Sequence, residues 1–261
     1  MSVYRTAADL ADAGETVALA TVTAVEGSTP RDPGATMLVR EDGSTDGTIG
    51  GGTVEELTRT AAVEAIEERE PRTEHWELRR DGNTGMVCGG EMTVFIDVVV
   101  GAPRLVVAGG GHIAVPLARM ADEMGYEVCV VDDREEFADP ERFPDAEVFC
   151  GDYDDGIAEF GVTSNTAVAI ASRSGTFDRI AAQEALERDA YYVGLVASDD
   201  KADHVRDGLL DDGVDEDALE RLHAPVGLDV GGGDPADVAL SILAELNRVR
   251  HGKPASVDAE S

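Results

Sequence analysis

One short glycine-rich stretch limits the fold of this chain more than any other feature. It reads VVAGGGHIAVPLA, so that Gly109, Gly111 and Ala114 form a G-x-G-x-x-A pattern between an apolar strand and a helix. Two acids, Asp132 and Asp133, end the next apolar run about 20 residues later. Together these features supply the tight turn, the close approach to a pyrophosphate and the ribose acceptor of a dinucleotide-binding unit. We therefore predict a Rossmann-like fold here.

The sequence that follows this loop alternates strands with helices. Apolar runs such as EVCVVDD, TAVAIAS and YYVGLVAS are separated by helical patterns such as FDRIAAQEALERD. Such alternation predicts parallel strands joined by right-handed crossovers, and hence a doubly wound parallel sheet. Asp234 and Pro235 suit the N-cap and the first position of a last helix. We assign the Rossmann-like domain to residues 101–255.

Residues 1–100 predict a separate α/β module. Residues 15–25 are apolar and β-branched, and ATMLVRED, GSTDGTIG, HWELRR and EMTVFIDVVV also have the composition of strands. A helix is expected from about Thr53 until Pro71 stops it. The GAPR segment at 101–104 is expected to link this module to the Rossmann-like domain.

The dinucleotide loop leaves the identity of its ligand open. NAD(P) is one expectation, with Asp132 favouring NAD, but the same glycines also serve strand-to-helix packing where no nucleotide binds. His112 could donate to a phosphate, act as an acid, or be an inert residue at a helix start. The second half shows no clear Lys or Tyr general acid, and no carboxylate partner for His204 or His223. An NAD-dependent oxidoreductase is therefore the alternative function, and it lacks a catalytic set.

A second glycine run, GTIGGGTVEE, precedes the helix predicted in the first module. Gly50, Gly51 and Gly52 would present free amide groups and the positive end of a helix dipole, which together can cradle an anion. Two further loops, EGSTPRDPGA and CGG, could add hydroxyls, a guanidinium and a thiol. Their candidate binding residues are Ser28, Thr29, Arg31, Cys88, Gly89 and Gly90. The alternative for each loop is structural: a turn, a helix cap or a small core residue.

The composition is strongly acidic, with 54 acidic against 21 basic residues and a formal net charge of −33. We interpret this charge as adaptation to a salt-rich cytoplasm, where salt screens the repulsion. No basic stripe suits nucleic acid, and neither a membrane span nor a signal peptide is predicted. The three cysteines lack CxxC spacing, so reduced thiols and no metal site are expected, with Cys129 and Cys150 in the core.

Taken in order, these loops resemble the signatures of one protein family, the xanthine dehydrogenase accessory factor family (XdhC/CoxI). The similar stretches are VEGSTPRDPGATMLVREDGST, GTIGGGTVEE, CGGEMTVFID, VVAGGGHIAVPLA, VVDDREEFADPERFPDA and HAPVGLDVGGGDPADVALSILAEL. The resemblance implies an N-terminal XdhC/CoxI-type α/β domain followed by a Rossmann-like domain.

The same resemblance implies a cofactor-binding chaperone rather than a turnover enzyme. Such proteins are understood to bind molybdenum cofactor, hold it while a cysteine desulfurase or sulfurtransferase exchanges an oxo for a sulfido ligand, and deliver it to an apo molybdenum hydroxylase. The molybdopterin phosphate would suit the GTIGGG loop. A homodimer is also expected, since the last helix is apolar. A regulatory protein whose Rossmann domain binds nothing is a third interpretation.

Three positions depart from the family pattern or match it only in part. Thr53 stands where some relatives carry a cysteine, which leaves Cys88 as the thiol at a family motif, either a cofactor contact or a packed small residue. Arg173 matches the arginine of an Arg-Gly-His segment whose histidine is missing here. Lys201 matches the lysine of a Gly-Ser-Arg-Arg-Lys-like run. The resemblance implies that Arg173 and Lys201 contact a cofactor.

Overall fold

The computed structural model describes residues 2–79, 82–84 and 89–255. The chain forms two compact units, with the boundary between Ala102 and Pro103. The prediction for the Cys88 thiol falls outside the described residues. Within the described ranges, no helix is both long and apolar enough to cross a membrane.

The first unit is an antiparallel sheet with a helix on each face. Its elements are α1 (Val3–Asp12), β1 (Val17–Glu26), β2 (Thr36–Arg40), β3 (Thr45–Gly47), α2 (Gly52–Glu68), β4 (Arg72–Glu77) and β5 (Glu91–Val99). The strand order is β3-β2-β1-β5-β4. Successive residues of a strand point to opposite faces, so Ala18 and Ala20 share a core with α2 whereas Val17 and Leu19 share one with α1. Helix α1 was not predicted from the sequence.

The second unit alternates strands and helices along most of its length. Its elements are β6 (Arg104–Ala108), α3 (Ala114–Glu123), β7 (Glu127–Asp132), β8 (Glu147–Cys150), α4 (Tyr153–Phe160), β9 (Thr166–Ile170), α5 (Gly175–Glu187), β10 (Tyr192–Leu195), α6 (Asp199–Asp211), β11 (Leu222–His223) and α7 (Pro235–Arg250). Helices α4 and α6 and strand β11 were not predicted. A capping box built from Asp234 and Asp237 starts α7.

The strand order of the second unit is β8-β7-β6-β9-β10-β11, and every pair is parallel. This is the order of a dinucleotide-binding fold, so the Rossmann-like prediction is confirmed. Helices α3 and α7 pack on one face of the sheet, and α4, α5 and α6 pack on the other. The order reverses between β6 and β9, which places a crevice at the carboxyl ends of these two strands.

The two cysteines of the Rossmann-like unit differ in their surroundings. Cys129 is buried, and burial raises the pKa of its thiol to about 12, so it is a core residue as predicted. Cys150 is exposed at the end of β8, and the prediction that it lies in the core is wrong.

Candidate functional site

The triple-glycine loop of the first unit turns the chain from β3 into α2. Gly50, Gly51 and Gly52 have φ angles of +138°, +77° and +65°, which L side chains rarely adopt. A Cβ atom on Gly50 would lie 2.5 Å from Cγ of Pro30, whereas on Gly51 or Gly52 it would meet nothing within 4 Å. The loop therefore packs on the Pro30 segment through Gly50 and is open to an approaching group at the next two glycines.

The loop that contains Ser28 also contacts the third predicted loop. A Cβ atom on Gly27 would lie 3.2 Å from both the carbonyl oxygen of Gly89 and Cα of Gly90. A Cβ atom on Gly90 would collide with the carbonyl oxygen of Ser28. The described parts of the three loops thus meet in one cluster, as the sequence analysis required for a pocket.

Two of the three glycine amides are not free, in contrast to the expectation from the sequence. The amide of Gly51 donates to Oε2 of Glu55 over 2.8 Å, and that of Gly50 donates to Oγ1 of Thr48 over 3.1 Å. Thr48 in turn donates to Glu55 over 2.7 Å. Donors without an intrahelical acceptor remain in the first turn of α2, on Gly52, Thr53 and Val54. The anion cradle is therefore smaller than predicted.

The polar side chains of the Ser28 loop differ in their surroundings. The hydroxyl of Thr29 donates to the carbonyl oxygen of Arg31 over 3.2 Å, so it stabilises the loop itself. Ser28 and Arg31 are exposed, and no carboxylate of the described residues lies within ion-pair distance of Arg31. In a chain of this charge, an unpaired guanidinium beside three open loops is a donor to an anion.

The dinucleotide loop of the second unit lies at the point where the strand order reverses. Gly109 has a φ of +117° and donates to the carbonyl oxygen of Val131 over 2.8 Å. A Cβ atom on Gly109 would collide with the carbonyl oxygen of Ala171 and lie 2.7 Å from its carbon. On Gly111 it would meet nothing within 4 Å. Gly109 therefore serves close packing of β6 against the β9 end, while Gly111 leaves its side of the loop open to a ligand.

Asp132, the predicted ribose acceptor, is fully buried and turned toward its own chain. Its Oδ2 accepts from the amide of Gly110 and from Nη2 of Arg134, both over 2.9 Å. Its Oδ1 accepts from the amide and from Nε of Arg134, over 3.0 and 2.8 Å. Burial raises the pKa of this carboxyl, but the hydrogen bonds from Arg134 and Gly110 outweigh burial and hold the pKa below its usual value. Asp132 fixes the glycine loop to the end of β7.

The other candidate residues of this unit lie at the same edge of the sheet. Asp133 pairs with Arg173, which follows β9, and His112 is exposed at the start of α3. Lys201, in the first turn of α6, places Nζ 2.6 Å from Oδ2 of the fully buried Asp178. All the predicted site residues of the second unit are therefore at the carboxyl ends of its strands, where dinucleotides bind in this fold.

A buried carboxylate partner for His223 was missed by sequence reasoning. Glu245 of α7 lies with Oε1 3.3 Å from Nδ1 of His223 and accepts from the hydroxyl of Tyr192 over 3.3 Å. Its Oε2 accepts from the amide of Gly227 over 2.5 Å. Burial raises the pKa of Glu245 and lowers that of His223. Glu245 lies 22 residues after His223 in a largely apolar helix, and no local sequence pattern predicts that these two side chains meet.

The amino-acid sequence matches two protein-family models. Residues 105–246 match the XdhC Rossmann domain, and residues 10–77 match the XdhC and CoxI family. The chain belongs to the XdhC and CoxI family. The family relation predicted from the loop motifs is therefore confirmed.

Two curated relatives of this XdhC-family chain are longer than it is. An uncharacterized Escherichia coli protein, YqeB, is 36% identical over 258 residues, which cover 97% of this chain and 47% of the relative. A Bacillus subtilis protein described as a probable subunit of xanthine dehydrogenase is 26% identical over 158 residues, covering 60% of this chain and 46% of the relative. The chain spans about half the length of the curated relatives it matches.

A solved structure supports the fold of this XdhC-family chain. The crystal structure of a xanthine dehydrogenase from Bacillus halodurans superimposes with a TM-score of 0.52 and 21% identity, covering 100% of this chain and 98% of the other. At this identity the similarity shows the fold alone.

Proposed function

We propose that this chain is an accessory factor for a xanthine dehydrogenase-type molybdenum hydroxylase. In this role it binds molybdenum cofactor and supports its sulfuration and its insertion into the apo-enzyme. Membership of the XdhC and CoxI family, and a Bacillus subtilis relative described as a probable xanthine dehydrogenase subunit, support an accessory role. The observation that carries the cofactor site is the meeting of three glycine-containing loops in the first unit.

The residues of that cluster fit a phosphate-bearing cofactor. The first-turn amides of α2 and the unpaired guanidinium of Arg31 would hold the phosphate, and the open sides of Gly51 and Gly52 leave room for it. Once bound, molybdenum cofactor would supply the dithiolene-held metal that the hydroxylase needs. The chain itself would bind, orient and shield it, so we propose a chaperone, with a sulfurtransferase and the apo-hydroxylase as partners.

Cofactor retention tests this proposal directly. Anaerobically purified protein is mixed with molybdenum cofactor and desalted, and the retained pterin is measured by fluorescence after oxidation. We expect retention by the wild type, and about a tenfold loss of affinity in Arg31→Gln, since a charge-assisted hydrogen bond to phosphate is lost. Arg5→Gln removes the same charge from an exposed position on α1 and is the matched control.

Two results would contradict the proposal in different ways. Absence of retained pterin in the wild type would refute the cofactor role. Equal retention by Arg31→Gln and Arg5→Gln would instead remove the three-loop cluster as the binding site.

We also propose that the second unit binds a phosphate-bearing nucleotide, either NAD(P) or a pterin dinucleotide. The open side of Gly111 before α3, at the point where the strand order reverses, supports this site. The test is retention of NADH by the wild type and its loss in Gly111→Val, whose side chain would fill the open side of the loop. Binding that is equal in both proteins would contradict this site.

We also propose that the chain forms a homodimer and is located in a salt-rich cytoplasm. Val115 on α3, Met124 directly after α3 and Leu240 on α7 are exposed apolar residues that a second copy could cover. Gel filtration in concentrated potassium chloride tests the dimer, and elution at the mass of one 27.5 kDa chain would contradict it.

A further inference from the structure

One ion pair spans the mouth of the crevice in the second unit. Asp133 directly follows β7, and Arg173 lies three residues beyond the end of β9. The sheet places β6 between these two strands, so their carboxyl ends are about 10 Å apart at ordinary strand spacing. Nη2 of Arg173 nevertheless contacts Oδ2 of Asp133. The two side chains therefore meet across the end of β6, where the glycine loop begins.

The neighbouring acid cannot accept a hydrogen bond from a ligand. A carboxylate offers about four lone-pair sites, and four donors from Gly110 and Arg134 already occupy both oxygens of Asp132. Asp133 is different. Within the described residues its Oδ1 is buried without a hydrogen-bond donor, and the Nε atom of Arg134 lies 3.8 Å away. Asp133 thus has the acceptor capacity that Asp132 lacks.

Arg173 is free to change partners. Its side chain is 47% exposed, and a partly exposed ion pair of this kind is weak. The guanidinium also lies over the ring of Phe177, with Cζ 4.8 Å from the ring centroid. This contact does not depend on Asp133 and would hold the guanidinium near the crevice when the carboxylate leaves.

We propose that the Arg173–Asp133 ion pair is an exchangeable bridge over the nucleotide crevice. A phosphate of the ligand replaces the Asp133 carboxylate on Arg173, and Asp133, once released, accepts the ribose hydroxyls in place of Asp132. This inference rests on the proposed nucleotide site of the second unit. The ligand class is a nucleotide that carries both a pyrophosphate and an unmodified ribose, because Asp133 would repel a 2′-phosphate.

Two probes separate the two halves of this exchange. Inorganic pyrophosphate carries only the phosphate groups, and NADH carries the ribose as well. Binding of each is measured by calorimetry on the full chain in buffered potassium chloride. The variants are Asp133→Ala, Arg173→Gln and the double variant, and Asp207→Ala, at an exposed position on α6, controls for the loss of one negative charge.

Asp133→Ala is expected to tighten pyrophosphate two- to fivefold relative to Asp207→Ala, because Arg173 no longer has an internal anion. The gain should disappear in the Arg173→Gln background. The ratio of NADH affinity to pyrophosphate affinity should fall about tenfold in Asp133→Ala, since a charged acceptor for the ribose is lost. Thermal unfolding of each variant establishes that it is folded.

Each of the other possible outcomes would overturn a named part of this proposal. NADH binding by the wild type, without a pyrophosphate gain in Asp133→Ala, would overturn the exchange and leave the nucleotide site standing. If Asp133→Ala also tightens pyrophosphate binding in the Arg173→Gln background, the exchange would again be overturned. A pyrophosphate gain with an unchanged ratio would overturn the ribose role of Asp133. Absence of binding by both probes in every variant would overturn the exchange together with the nucleotide site.

Discussion

The dinucleotide loop contains two glycines that should respond to the same substitution in opposite ways. At Gly109 an alanine would need a φ of +117°, which costs about 1–3 kcal/mol for a non-glycine residue. Its Cβ would also collide with the Ala171 carbonyl group, and relieving such a contact costs about another 1–3 kcal/mol. We therefore expect Gly109→Ala to lower the free energy of unfolding of the second unit by about 4 kcal/mol.

Gly111→Ala is the matched variant. Gly111 does not have a positive φ, and a Cβ atom there meets nothing within 4 Å. Its free energy of unfolding should therefore lie within about 0.5 kcal/mol of the wild-type value. Because the added methyl group points to the open side of the loop, this variant should instead weaken nucleotide binding.

Differential scanning calorimetry in concentrated potassium chloride distinguishes the two variants. For a domain of this size, 1 kcal/mol corresponds to about 2–4 °C, so Gly109→Ala should lower the midpoint of the second unit by about 8–16 °C. The wild-type protein, scanned under the same conditions, provides the reference. Equal midpoints for the two alanine variants would refute the assignment of Gly109 to packing and Gly111 to ligand approach.

Further measurements test the buried acids, the charge and the apolar surface. Asp132 has a lowered pKa in the folded state, so the stability advantage of the wild type over Asp132→Asn should shrink as pH falls below about 4; a constant difference in urea titrations would contradict this. Burial raises the pKa of Glu245, so the wild type should lose stability relative to Glu245→Gln as pH rises above about 4.5, and parallel pH profiles would count against it. Because the net charge is −33, the midpoint of thermal unfolding should rise with potassium chloride, and a salt-independent midpoint would exclude the interpretation of the charge as salt adaptation. Leu240→Asp should convert a dimer into a monomer in gel filtration, and an unchanged elution volume would place the interface elsewhere.

The sequence predicted the Rossmann-like unit well because its signals are local. The glycine loop, the acids after the next strand and the alternation of apolar runs all lie within short windows. Helix α4 was missed because its sequence, YDDGIAEF, carries a glycine in the middle, which disfavours a helix. The structure shows why glycine is there: a Cβ atom on Gly156 would lie 2.6 Å from Val131 and 2.7 Å from Phe149. A requirement set by distant residues overrides the local preference.

The three loops of the first-unit cluster could be predicted from the sequence, but which of their donor groups are free could not. The sequence showed three unusual loops, and the structure brings their described parts together. It could not show that Glu55 accepts from Gly51 and Thr48. The usual capping box places its acid three residues after the N-cap, whereas Glu55 lies four residues after Gly51. No spacing rule identifies such a contact.

A common feature of both candidate sites is that carboxylates of the chain already occupy donors that a ligand anion would use. Glu55 accepts from the Gly51 amide, Asp132 accepts from the Gly110 amide, and Asp133 pairs with Arg173. Asp132 and Asp133 differ in accessibility, since Asp132 is fully buried and saturated whereas Asp133 faces an exposed guanidinium. An incoming phosphate can therefore replace only the exposed type of partner without breaking the loop that binds it. The usual rule assigns the ribose to the acid at the end of the strand and selects Asp132 here. This difference in burial, and not in residue type, is the reason why we propose Asp133 instead.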